Sequence, residues 1–305
     1  MRVVILGGSG FIGTALTRHL TARGDEVIIP SRHPSYFSRP LPNRTFRSWD
    51  GRSVKGLIES LEGADGVVNL LGENIAAGKW NAEQKKRIVQ SRLDAGNALV
   101  EALETLEERP QTLIQASASG YYGFWPDAAS APDCTEETGA GAGFLAATAI
   151  QWEGSTQKAE QFGIRRCIIR TAPVLSPEGG MLSKIIPLFR LGLGGPVGSG
   201  KQPFAWIHLE DEVAAIAFLL DHGELSGPFN LVAPEHATMS TFVHALAKAL
   251  HRPAWLPVPG AVLRLAFGEM ATELLLAGQK VSPVRLLEHG FLFRHSTLAS
   301  ALAFS

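Results

Sequence analysis

Apolar positions along this chain follow two alternating rhythms. Short β-branched runs occupy Arg2–Leu6, Glu26–Pro30, Thr45–Trp49, Gly66–Leu71, Thr112–Ser117 and Arg165–Thr171. Between several of them lie longer stretches of helical period, Phe11–Arg23, Val54–Leu61, Asn81–Glu107 and Phe144–Phe162. Continuous apolar runs such as Val67-Val68-Asn69-Leu70-Leu71 suit strands covered on both faces, as in a parallel sheet. Strand and helix alternating in this order predict an α/β fold with a doubly wound parallel sheet of Rossmann type.

The rhythm changes near Gly179. Gly192, Gly194, Gly195, Gly198 and Gly200 crowd around Pro196, which reads as an irregular, closely packed loop. After Pro234 the pattern is mainly helical, over Ser240–Leu250, Pro259–Leu276 and Pro283–Glu288. The expected organisation is a cofactor-binding domain over 1–232 and a smaller helical lobe over 233–305, with the insert 179–205 contributing to that lobe. No internal repeat or low-complexity segment interrupts it.

The first strand runs into Gly7-Gly8-Ser9-Gly10-Phe11-Ile12-Gly13 and then a helix. Of the glycines at 7, 10 and 13, one permits the tight exit from the strand. Another lets backbone approach a pyrophosphate, and the third lets helix and strand pack closely. The helix N-terminus then presents free N–H groups and partial positive charge to phosphates. A glycine triplet alone is weak, but here a strand precedes it, a helix follows, and a second strand comes about 20 residues on. The second strand ends in Pro30-Ser31-Arg32-His33, without the acid that would bind a free ribose 2′-hydroxyl. Ser31 can donate to a 2′-phosphate and Arg32 can grip it, so the cofactor expected is NADP(H). Leu70-Leu71-Gly72 should pass beneath the adenosine and pyrophosphate. Arg92, in Gln90-Ser91-Arg92 on the long helix, is either a cofactor contact from beneath or a helix-surface charge.

Composition narrows the class without changing this picture. The 305 residues are 45% hydrophobic and 19% charged, ordinary for a globular chain. A formal net charge of −1 provides no field to recruit nucleic acid or an anionic membrane. The longest apolar run, Val213–Leu220, is too short to span a bilayer, and no secretory leader precedes Arg2. Two cysteines, Cys134 and Cys167, in no metal spacing fit a reduced cytoplasmic setting.

Several segments together resemble the extended short-chain dehydrogenase/reductase superfamily. They are the glycine fingerprint, Ser117-Ala118-Ser119-Gly120-Tyr121-Tyr122-Gly123 and Trp206-Ile207-His208-Leu209-Glu210-Asp211. Within that superfamily the chain resembles an atypical branch, the epimerase family. The segments that carry this are Asn69-Leu70-Leu71-Gly72-Glu73-Asn74-Ile75, Gly194 to Gln202, and Gly278-Gln279-Lys280-Val281 followed by Gly290-Phe291. The resemblance spans essentially the whole chain. It implies a Rossmann sheet, an NADP site, a C-terminal helical domain of uncharacterised kind and, by analogy, a homodimer. It carries Gly7, Gly10, Phe11, Ile12, Ser31, Arg32, Leu70, Leu71, Arg92 and Val174 as cofactor contacts; Gly13, Gly72 and Ser117 join them from the motifs themselves.

One expected feature is missing. The wider superfamily uses a tyrosine acidified by a lysine four residues later. Four residues after Tyr36, Tyr121 and Tyr122 stand Pro40, Trp125 and Pro126, and the helix positions where the resemblance would place the pair hold Leu145 and Ala149. Ser119 and Tyr122, just after the fifth strand, are the remaining catalytic candidates, with Tyr122 equally readable as a packed aromatic. Glu73 and His208 are further polar candidates, His208 fitting a capping role better. Trp80, Gln202 and Trp206 are either pocket walls or core. No His/Cys/Asp grouping has ligand spacing, so no metal is expected, and no Gly-x-Ser-x-Gly elbow marks a hydrolase. Two functions remain open: an NADP(H)-dependent oxidoreductase or epimerase of an unidentified small molecule, and a binding module that senses NADPH or holds a partner without turnover.

Overall fold

A computed structural model describes residues 1–34 and 42–303 of the chain; Tyr36 lies outside them. Seven strands make one sheet: β1 (Arg2–Leu6), β2 (Glu26–Ser31), β3 (Arg44–Ser48), β4 (Gly66–Asn69), β5 (Thr112–Ala118), β6 (Arg165–Thr171) and β7 (Gly227–Leu231). Their order is β3-β2-β1-β4-β5-β6-β7, and every pair is parallel. The chain moves outward from β1 to β3, then returns to place β4 on the other side of β1. That reversal opens a crevice at the carboxyl ends of β1 and β4, where ligands bind in such sheets.

Side-chain parity divides the sheet into two cores. Val3, Ile5, Val27 and Ile29 pack on one face with α1 (Phe11–Ala22) and, lower in the chain, the helix Leu209–Asp221. Val4, Leu6, Ile28 and Val67 pack on the other with α2 (Lys55–Leu61) and α3 (Ala82–Thr105). Both faces are thus covered, which is why these strands read as continuous apolar runs. A third core joins Leu182, Ile186 and Phe189 of the insert to Phe242 and Leu246 of the helix Met239–Ala249 and to Leu298 and Leu302.

The structure departs from the sequence reading at several ends. The fourth strand stops at Asn69; the Leu70 N–H still bonds the Leu6 carbonyl, and the chain continues as loop. The Phe144–Phe162 pattern breaks after α4 (Phe144–Gly154) into a 3₁₀ segment, Gln157–Phe162. Pro259–Leu276 divides into Gly260–Phe267 and Glu269–Leu274 at Gly268, whose φ of 59° ends a helix. Unforeseen were β7, α5 (Leu182–Arg190) and α6 (Leu209–Asp221). His208 caps α6 through Nδ1, and Glu210, Asp211 and Glu212 sit in the first turn, where the helix dipole favours acids.

Glu212 is fully buried. Thr171 Oγ1, at the end of β6, donates to its Oε1 at 2.9 Å, and Oε2 has no partner among the described residues. Burial pushes the carboxyl up to about 8 from an ordinary 4.5. Between those values the folded chain holds a proton that the unfolded chain has released, so stability falls as pH rises through the window. Glu212→Gln should therefore melt above the wild type by a margin that widens from about pH 4.5 to about 8 and then levels. Calorimetric scans across that range check it; a margin independent of pH would contradict the assignment.

Candidate functional site

The turn after β1 is built on close backbone contacts. Gly7 has φ of 81°, and a Cβ there would meet the Leu70 carbonyl carbon at 3.1 Å, so the Gly7 turn and the loop after β4 touch. A Cβ at Gly13 would lie 2.3 Å from the Gly7 carbonyl oxygen, so α1 rests directly on the turn. Gly10 is the N-cap of α1, lines the cleft and brings no capping side chain, so the first-turn N–H groups have no side-chain cap. A dinucleotide pyrophosphate fits this cradle: the positions where side chains would block it are glycines.

A cleft of about 490 Å³ follows from this arrangement. Gly7 and Gly10 line it with Ser31 and Arg32 from the end of β2 and with Leu70, Leu71 and Gly72. Asn69 holds the last of these loops, accepting from the Leu71 N–H while its Nδ2 donates to Gln115 Oε1. The loop after β3 adds Trp49, Asp50, Gly51 and Arg52, which the sequence reading did not single out. The Asp50 carboxylate accepts the N–H groups of Arg52 and Ser53, and those hydrogen bonds hold it below the usual carboxylate range. It is used by its own turn, so the rim beside Ser31 presents two arginines, Arg32 and Arg52. Position after a neighbouring parallel strand was the available signal for Arg52.

Arg92 lies beneath this cleft. Its Nη1 donates to the carbonyls of Glu73 (3.1 Å) and Ile88 (2.8 Å), and the guanidinium stacks 4.6 Å from the Trp152 ring. Burial lowers its pKa to about 10, which leaves it charged at neutral pH. Ser91 accepts the Glu73 N–H, and a Cβ at Gly72 would meet the Arg92 guanidinium at 2.8 Å. Gln90-Ser91-Arg92 thus shapes the loop after β4, and Arg92 is a buried group, not a surface charge.

A second cavity of about 270 Å³ adjoins, and Arg92 is in its wall. Ala118, Ser119 and Gly120 after β5 and Thr171, Ala172 and Pro173 after β6 form its sheet-edge side. Leu145, Thr148, Ala149 and Trp152 of α4 form a second side. Met181, Phe204 and Met239 add a third, and Glu273 to Leu275 with Ala277 to Gln279 close it. Leu145 and Ala149 thus stand in the cavity wall. Ser119 Oγ donates to Gln279 Oε1 at 3.3 Å. Glu273 accepts the N–H groups of Phe144 and Leu145, one on each carboxylate oxygen, and so supplies the cap that Gly143 cannot.

Other sequence candidates fall elsewhere. Phe11, Ile12, Gly13, Ser117 and Val174 line neither space. Gly13 acts through packing, and the Phe11 ring is covered by Gly179 and Gly180, where a Cβ at Gly179 would come within 2.4 Å of it. Ser117 donates to Glu153 Oε1 at 2.6 Å. The same carboxylate takes Arg170 Nε and Nη2, and Arg170 Nη1 donates to the Tyr122 hydroxyl, which donates to Asn230 Oδ1. Tyr122 is 1% exposed, and burial pushes its phenol up to about 12. It is a packed member of an ionic network and lines neither cavity. Gln202 ties the Val197 and Leu275 carbonyls, Trp206 is core, and Trp80 donates to the Ile75 carbonyl. His208, Glu210 and His295 do come together in space, a grouping invisible to local spacing. Arg294 occupies Glu210, and His208 is engaged as the α6 cap.

The model of the NAD dependent epimerase/dehydratase family matches residues 3–232, and a domain of unknown function matches 258–304. The chain is 41% identical to an epimerase family protein of Mycobacterium bovis over 303 residues, 99% of this chain and 97% of the relative. It is 36% identical to the human epimerase family protein SDR39U1 over 304 residues, 99% and 98% of the two. A crystal structure of that human protein (isoform 2) with NADPH is similar to this one at a TM-score of 0.87, with 34% identity and 99% and 98% coverage. UDP-glucose 4-epimerase of Thermus thermophilus, in complex with NAD, shares the fold at a TM-score of 0.77 and 20% identity, over 99% and 97% of the two chains.

Removing the carboxylate at the centre of the Ser117–Arg170–Tyr122 network strands a buried guanidinium. Glu153→Ala should therefore cost about 3–5 kcal/mol of stability, whereas Ser117→Ala, which deletes one donor, should cost about 1 kcal/mol. Urea unfolding of the two variants checks the order; equal losses would show that the ion pair does not organise this region.

Proposed function

We propose, from the premise that this chain belongs to the NAD dependent epimerase/dehydratase family, that it binds NADP(H) in the cleft over the glycine turn and uses it in redox chemistry on a small molecule held in the adjoining cavity. The observation that carries the cofactor choice is the rim after β2 and β3. Ser31, Arg32 and Arg52 line that rim, where they would meet a 2′-phosphate, and the nearby acid, Asp50, is turned onto its own backbone. The human relative solved with NADPH supports the same reading. Gly7 and Gly10 would lie against the pyrophosphate, Leu70 to Gly72 under the adenosine side, and Arg92 where cleft and cavity meet.

When bound, NADP(H) supplies the two-electron donor or acceptor. The chain itself must orient the substrate, exclude water and exchange a proton at the substrate oxygen. The chain has no tyrosine followed four residues later by lysine. Leu145 and Ala149 wall the cavity, and Tyr122 is enclosed in its network. Ser119, with its hydroxyl on Gln279, is what the chain offers to that oxygen. A module that holds NADPH without turnover is the reading that the missing pair favours; the apolar cavity beside the cleft favours the enzyme.

No helix among the described residues is long and apolar enough to cross a membrane. Cys134 and Cys167 are free and buried, which suits a reducing cytoplasm.

Arg32→Asp removes a charge-assisted hydrogen bond of about 1.5–3 kcal/mol to a 2′-phosphate. NADPH affinity should fall about 10- to 100-fold or more, and NADH affinity far less. Titration of both cofactors against wild type and variant is the check, and equal losses would defeat the NADP(H) assignment.

A further inference from the structure

The cavity beside the cleft has a chemical character of its own. At about 270 Å³ it lies just below the ~300–1,000 Å³ of ordinary ligand pockets. A nucleotide sugar carries a diphosphate that needs cations or a helix N-terminus to replace its water. Among the described wall residues the one cation is Arg92, which is bonded to two carbonyls, stacked on Trp152 and set at the cofactor end. The α4 N-terminus, the other place for a phosphate, is filled by the Glu273 carboxylate, which would repel one.

The remaining polar atoms are few, and most are engaged. Thr148 Oγ1 donates to the Phe144 carbonyl of its own helix, and Thr171 Oγ1 to Glu212. Gln279 is different: its Oε1 accepts the Ser119 hydroxyl, both residues are buried, and its Nε2 donates to no described residue. The Trp152 indole N–H is likewise without a partner among the described residues, but it is buried. In apolar surroundings one such donor fixes a ligand oxygen more firmly than it would in water.

We propose that this cavity takes a small, uncharged, largely apolar carbonyl compound, or the corresponding alcohol, with its oxygen accepting from Gln279 Nε2 beside the Ser119 hydroxyl, and that it does not take a nucleotide sugar. The inference rests on the reading of the neighbouring cleft as an NADP(H) site and names the substrate class for it. Gln279 comes from the region after the family-matched domain, so that region is part of the binding site.

Calorimetric titration of the full chain saturated with NADP⁺ tests this, using cyclohexanone, acetophenone and menthone against UDP-glucose. Saturable binding of at least one ketone and none of UDP-glucose is expected. Gln279→Leu should weaken that binding about three- to tenfold, the loss of one hydrogen bond. Ala149→Phe, which fills the cavity, should abolish it. NADPH titration of each variant shows whether it is folded, and either one alone suffices. Binding of UDP-glucose, binding of neither class, or ketone affinity untouched by both substitutions would overturn the proposal. Failure of the wild type to bind NADPH would strike the cofactor reading alone, the ketone titration on the apoprotein then deciding this one.

Discussion

The Gly7 carbonyl oxygen occupies the space in which a side chain at position 13 would begin. Much else depends on that contact. It brings the first helical turn of α1 down onto the end of β1, so that the uncapped start of the helix at Gly10 stands beside the crevice where the strand order reverses. Because the β4 loop also rests against Gly7, the two walls of the cleft are set by backbone atoms and not by adaptable side chains. A site defined by backbone has little rotamer freedom to lose when a ligand arrives.

Charge is distributed unequally around the sheet edge. On one side Glu153 gathers Ser117 and Arg170, and through Arg170 the Tyr122 hydroxyl. Each polar group there finds its partner within the chain, and nothing is left for a ligand. On the other side the residues that would have made a tyrosine–lysine pair are Leu145 and Ala149, and the cavity they wall is poor in charge. The same helix and the same two strand ends thus have two roles: Glu153 anchors α4 to Ser117 of β5 and Arg170 of β6, and Leu145 and Ala149 face residues 118–120 and 171–173 across an apolar space. Ser119 is separated from Ser117 by one residue and falls on the cavity side.

The sequence made the cofactor cleft largely readable because its parts are local. Gly7, Gly10 and Gly13, Ser31-Arg32, and Leu70 to Gly72 are each a short motif whose job follows from position after a strand. Ser117 and Tyr122 show where this logic ends. Proximity to the end of β5 placed them near the edge, but their direction depends on Glu153, Arg170 and Asn230, far away in sequence. Arg92 had two readings on residues alone, and only Trp152 and the Glu73 carbonyl decide that it is buried. Strand β7 carries Gly227 and Pro228 at its start and Asn230 within it, so its composition hid it. Its place beside β6 comes from register, a property of the folded chain. Gln279, noticed only within a family-like segment, and Glu273 hid their roles for the same reason: their partners, Ser119 and the start of α4, lie more than a hundred residues earlier.

Glu273 has a consequence in time. The described residues lining the cleft are all present in the chain by Asp94, whereas α4 receives its cap and Ser119 its partner only from Glu273 and Gln279. Synthesis runs from the N-terminus, at about 5–20 residues per second. On the ribosome the described lining of the cleft is therefore complete long before the residues that close the cavity wall are made. The order of synthesis thus separates the two spaces in time, the cleft's lining residues preceding those that complete the cavity wall.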